Sequence, residues 1–99
     1  MNYAKFGYPV TATVKNVPVV GTEQYVFSFE NGYGASVIRG PHTYGGKKGQ
    51  WEVAVLDPDG KIYYRSPITN DVLGYLADDE VESVLDNISA LPEFDSVSK

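Results

Sequence analysis

His42 is the single histidine of the chain, and no cysteine accompanies it. A Ser-His-Asp triad or a His-based metal site would rest on that one residue, and disulfides, thiolate ligands and a Cys nucleophile are excluded. GPHTYGGKKG (residues 40–49) resembles a phosphate loop, but the Walker pattern needs a hydroxyl directly after its lysine, on a strand-loop-helix unit. Lys48 stands at that position, and a strand pattern follows. Asp57, Asp59 and Gly60 resemble the start of a calcium loop, yet Ile62, Tyr63 and Tyr64 occupy the stretch that should supply further oxygen ligands. Glu30 and Glu52 lie in strand patterns, so a pair of carboxylates is the catalytic arrangement that remains in principle. The expectation is a protein that is not an enzyme, with no catalytic residue, no metal and no cofactor.

Binding is the other chemistry these residues permit, and charge is where it would start. Residues 1–65 hold seven Lys and Arg against five Asp and Glu, a net of +2; residues 66–99 hold one Lys against eight acids, a net of −7, within a total of −5. That balance argues against phosphate binding by the whole surface, so nucleic acid is not the expected partner. Asp79, Glu82 and Asp86 recur at i, i+3 and i+7 on the side away from an apolar stripe, with Asp78 and Glu80 beside them and no Lys or Arg at i+4. Acids in a first helical turn favour the helix dipole, whereas Glu82 and Asp86 gain little from it. The face is either a solubilising surface or a docking surface for a basic partner, and Asp79, Glu82 and Asp86 are the candidate partner-binding residues. Tyr44 and Lys48 are the secondary candidates; with Lys47 and Arg39 they would also serve a nucleic-acid-binding module built on the loop 40–50.

The elements that must position these residues follow from periodicity. Ninety-nine residues make a single domain, and eight of the thirteen aromatics are tyrosine, which suits strands and half-wet surfaces. Val10, Ala12 and Val14 alternate with polar residues in a strand that Pro18 stops. Tyr25, Phe27 and Phe29 form a second. Asn31-Gly32 then predicts a two-residue type I′ hairpin, pairing Phe29 with Gly34, Phe27 with Ser36, Tyr25 with Ile38 and Val26 with Val37. After the long exposed loop 40–50, Trp51 to Leu56 is a strand; DPDG (57–60) predicts a three-residue hairpin with a G1 bulge, and Lys61 to Arg65 the returning strand, pairing Leu56 with Ile62 and Ala54 with Tyr64. Thr69 to Gly74 reads as one helical turn, capped by Thr69 and ended by Gly74. Val81, Val84, Leu85, Ile88 and Leu91 fall on one helical stripe, started by Asp78 or Asp79 and ended by Pro92, with a frayed tail over 93–99 unless Phe94 docks. The predicted fold is α+β: an antiparallel sheet of about five strands with one C-terminal helix packed on one face, its core completed by Phe27, Phe29, Trp51, Val53 and Val55. No apolar stretch is long enough for a signal or membrane segment, so a soluble protein is expected.

Four strings carry a resemblance: FENGYGASVIRG (29–40), GQWEVAVLDPDG (49–60), SPITNDVLGYL (66–76) and ADDEVESVL (77–85). From about Tyr25 to Leu91 the chain resembles a group of small bacteriophage and prophage proteins. Such proteins often carry a hydroxyl before the acidic helix; Ala77 stands there in this chain, which shifts the expected cap to Asp78. The resemblance implies a phage setting and the host cytoplasm. Small acidic phage proteins without catalytic residues often bind host proteins, among them anti-CRISPR and other counter-defence inhibitors that present carboxylates where a nuclease expects phosphates. The implied function is inhibition of a host protein through the acidic helix, with a phage structural or assembly accessory as the alternative.

Overall fold

Alternating sequence becomes strand through most of the computed structural model, which describes residues 3–14, 21–69 and 71–94. Strands β3 (Ala12–Val14), β4 (Glu23–Ser28), β5 (Gly34–Arg39), β6 (Trp51–Leu56) and β7 (Leu73–Leu76) form one antiparallel sheet in sequence order. A hairpin of β1 (Tyr3–Lys5) and β2 (Tyr8–Val10) makes a separate two-stranded sheet, and helix α1 (Asp78–Ser89) follows β7. The fold is α+β, with the helix on one face of the five-stranded sheet. Val81, Leu85 and Ile88 bury that helix against Phe27, Ala35, Val37, Trp51, Val53 and Val55, while Val84 and Phe29 are half-buried at the margin. Leu91 lies past the end of the helix and is only partly covered.

The strand expected to start at Val10 breaks at Thr11, whose N–H and hydroxyl both donate to the Val26 carbonyl at 2.8 and 2.9 Å. Val10 therefore ends β2 and Ala12 begins β3; Pro18 lies outside the described residues. The β1–β2 turn is Phe6-Gly7, both at positive φ (54° and 85°), as a two-residue hairpin between Lys5 and Tyr8 demands. A left-handed Phe costs about 1–2 kcal/mol. Burial of its ring, edge-on to Trp51 at 5.3 Å, is worth a similar amount, about 1.5–3 kcal/mol.

The β4–β5 register is offset by one residue from the expected one. Phe27 pairs with Ala35, Tyr25 with Val37 and Val26 with Ser36, and Gly34 lies opposite Ser28 rather than Phe29. The turn is a three-residue one: the Gly32 N–H donates to the Phe29 carbonyl at 3.1 Å, the Phe29 N–H to the Tyr33 carbonyl at 2.8 Å, and only Gly32 of the pair is left-handed (φ 92°). That is a type I turn closed by a G1 bulge. Because side chains alternate, one residue of slip exchanges faces, and Val37, not Ile38, joins the core. The DPDG turn has the same form, with Gly60 N–H to Asp57 carbonyl at 2.9 Å and Asp57 N–H to Lys61 carbonyl at 2.8 Å.

Beyond that turn the expected strand over 61–65 does not form. Leu56 and Ile62 make an isolated bridge, Ala54 has no Tyr64 partner, and the sheet neighbour of β6 is β7. The segment Thr69 to Gly74, expected as a helical turn, instead leads into that strand. Among the described residues the Thr69 hydroxyl accepts the Asp71 N–H (3.1 Å), and Gly74 sits inside β7; Asn70 lies outside the described residues. Phe94 docks: its ring packs edge-on to Tyr33 and Tyr63, and its N–H donates to the Asn31 carbonyl at 2.7 Å. Residues 95–99 of the expected tail lie outside the described residues.

Candidate functional site

Sheet topology brings the basic loop and the start of the acidic helix to the same end of the molecule. The loop 40–50 joins the end of β5 to the start of β6, and β7, antiparallel to β6, delivers Leu76 opposite Trp51, two residues before α1. Trp51 ties the two together. Its Nε1–H donates to Asp78 Oδ1 at 2.7 Å, and the Arg39 guanidinium lies 4.0 Å over its ring while donating to the Gly49 carbonyl at 3.2 Å. Glu23 also accepts from Arg39, and the guanidinium holds the Glu23 carboxyl below its ordinary value of 4.5. Arg39 is thus spent on structure rather than offered as a free cation.

The loop is exposed over much of its length, as expected, and bonded within. Thr43 Oγ1 accepts the Gly40 N–H (2.9 Å) and donates back to the Gly40 carbonyl (3.0 Å); a 3-10 turn over Gly46–Lys48 follows, and the Tyr44 N–H donates to Glu52 Oε1 at 3.1 Å. Gly46 is required by close approach, since a Cβ there would lie 1.7 Å from the Gly40 oxygen. On this frame Tyr44 is 58% exposed and Tyr75 60% exposed, their rings 6.1 Å apart at 33°. The Tyr75 N–H donates to the Tyr44 carbonyl at 3.2 Å, and Tyr75 holds a left-handed φ of 59° at the bulge between β6 and β7. Exposed Lys47 and Lys48, with His42 and Tyr75, line an open cavity of about 260 Å³.

On α1 the three candidate acids separate into two kinds. Asp79 and Glu82 are exposed, and among the described residues the one ion pair is Arg39 with Glu23, so neither has a cation in reach. Asp86 is occupied: it accepts a short hydrogen bond from the Tyr8 hydroxyl, which also meets Ser89 Oγ at 3.2 Å, and this donation to a carboxylate raises the Tyr8 pKa above 10.0. Asp86 therefore fastens the β1–β2 hairpin to the helix. The N-cap is Ala77, not Asp78; its N–H donates to Glu80 Oε1 at 2.9 Å, while Asp78 serves Trp51.

Glu30 and Glu52 do not meet. Glu30 sits in the β4–β5 turn, and the register sets Glu52 level with Gln24 at the far end of β4. Among the described residues no group of three His, Asp or Glu is placed to hold a metal ion, and no helix is long and apolar enough to cross a membrane. Sequence reasoning missed Tyr75, Asp78 and Asn31 as positioned groups. A tyrosine in a strand, an aspartate in a first turn and an Asn-Gly pair each have a commoner role that hides the contact. No protein-family model, curated protein or solved structure matches the chain.

Proposed function

We propose that the protein is a binding protein that docks Asp79 and Glu82 of α1 on a basic surface of a host protein and inhibits it. In the phage setting implied by the FENGYGASVIRG-type strings, this is a counter-defence, anti-CRISPR-like role in the host cytoplasm. The supporting observation is the pair of exposed carboxylates without a cation in reach among the described residues, on a helix whose other face is anchored by Val81, Leu85 and Ile88. Unpaired charges of one sign on a fixed helix steer and orient an oppositely charged partner. Asp86, also exposed on α1, completes the docking set while its Oδ1 accepts the Tyr8 hydroxyl. The test is capture from host lysate on the immobilised protein. Wild type should retain a basic protein that salt releases, and Asp79→Lys/Glu82→Lys should lose it; capture that survives the double reversal ends this reading. The exposed Tyr44–Tyr75 pair favours the second reading, a phage structural or assembly accessory.

A further inference from the structure

We propose that the end of the sheet carrying Tyr44 and Tyr75 is a self-association surface, on which two copies of this chain meet about a two-fold axis through the tyrosine pair. This goes beyond the host-partner reading and does not depend on it. The argument begins with the rings, each more than half exposed and only 33° from parallel. Exposed aromatic pairs on a fixed scaffold are costly to leave in water and lose little side-chain freedom when covered. The scaffold is fixed: Tyr44 is held through its N–H by Glu52 and through its carbonyl by Tyr75, and Tyr75 keeps a left-handed backbone that a plain strand would not need. The eleven-residue span from Gly40 to Gln50 is also longer than joining two adjacent antiparallel strands requires, where about two to five residues suffice.

Charge supplies the choice of occupant. Lys47 and Lys48 share the cavity with Tyr75, and three residues after Tyr75 the chain enters the acidic first turn at Asp78 and Asp79, held at this end by the Asp78 bond to Trp51. This end of the molecule therefore presents lysines, tyrosines and carboxylates together. A two-fold axis through the tyrosines that sets the lysines of each copy against the acids of the other would make the patch complementary to itself. A patch of two rings and four or five charges is below the roughly 800 Å² per partner of a standard interface, so the association is weak and salt-sensitive.

Sedimentation of the intact chain over a concentration series, at low and high salt, tests this. The expected result is an average mass rising above 10.9 kDa toward twice that value at low salt. Lys47→Glu/Lys48→Glu and Asp79→Lys/Glu82→Lys should each weaken association about tenfold or more, while an equimolar mixture of the two variants should restore it, because both cross-contacts are then attractive. Tyr44→Ala/Tyr75→Ala should abolish it while leaving the acidic helix intact for any host partner. Trp51 fluorescence confirms that each variant is folded. A chain that stays monomeric at about 1 mM overturns the proposal, since association would then be weaker than about −4 kcal/mol. So does undiminished association of the tyrosine variant, or a mixture no tighter than either variant alone.

Discussion

Gly46 and Glu23 show how single residues at the loop end are held, and each carries a prediction. A Cβ at residue 46 would overlap a backbone oxygen, which cannot swing aside as a side chain can. Gly46→Ala should therefore cost about 1–3 kcal/mol by urea denaturation, the range for forced overpacking. Gly49→Ala should cost about 1–2 kcal/mol, because its φ of 76° is strained for Ala but the space beside it is open. Gly46→Ala should be the costlier of the two, because only there does the added Cβ meet a backbone oxygen; equal effects would mean that the loop does not hold its close approach. Glu23 acts through pH. Its carboxyl is held below the ordinary value by Arg39, so the folded state binds the proton less readily than the unfolded one. The ion pair then stabilises above about pH 4.5 and fades as pH falls through the lower folded value. Glu23→Gln should show a smaller fall in Tm than wild type between about pH 6 and pH 3, the difference being modest because the pair is partly exposed.

At the scale of elements, the β4–β5 turn is the most instructive segment. Asn31 has no left-handed backbone to justify its presence. Its side chain instead donates to the carbonyls of Ile88, Ser89 and Leu91 at 2.8, 3.3 and 3.1 Å, and its Oδ1 accepts the Tyr33 N–H at 3.0 Å. These carbonyls lie at and just past the end of the helix, where i+4 N–H partners run out; only that of Ile88 also accepts a backbone N–H, from Leu91 at 3.2 Å, and no basic residue sits in the last turn of α1 to serve them. Asn31→Ala should cost about 1–3 kcal/mol in denaturant midpoint, by stranding half-buried acceptors, with faster amide exchange in the last turn of α1. Asn31→Asp should be no better, because a carboxylate offers those carbonyls no donor; a neutral Asn31→Asp would remove the capping role. The helix stripe and the strands β4, β5 and β6 were legible in the sequence because their periods are long and regular. The register was not, since Asn-Gly fits both a two-residue and a three-residue turn, and what decides is the helix end 57 residues away. For the same reason β7 was hidden. Four residues with a central glycine carry too little pattern, and their strand state comes from pairing with β6.

The whole molecule is polarised, and the candidate acids divide according to what each does in it. Reversing Asp79 and Glu82 to lysine moves the net charge from −5 to −1, easing self-repulsion, while Asp79 gives up a favourable place beside the helix dipole, worth about 0.3–1 kcal/mol. These effects oppose one another, so the double variant should keep its denaturation midpoint within about 0.5 kcal/mol of wild type, as exposed substitutions generally do. Asp86→Lys changes charge by half as much, yet it should destabilise more. It removes the acceptor for the Tyr8 hydroxyl and loosens the β1–β2 hairpin, whose Phe6 covers Trp51. Tyr8→Phe should reproduce that loss, about 0.5–1.5 kcal/mol, with faster amide exchange confined to residues 3–10. It should also remove a pH dependence. With the folded Tyr8 pKa above 10.0, the bond stabilises below pH 10 and is lost as pH rises through the folded value, so wild type and Tyr8→Phe should converge in stability on the alkaline side. If Asp86→Lys proves as silent as the Asp79/Glu82 pair, the hairpin is not fastened through Tyr8, and all three acids belong to one solvent-facing set.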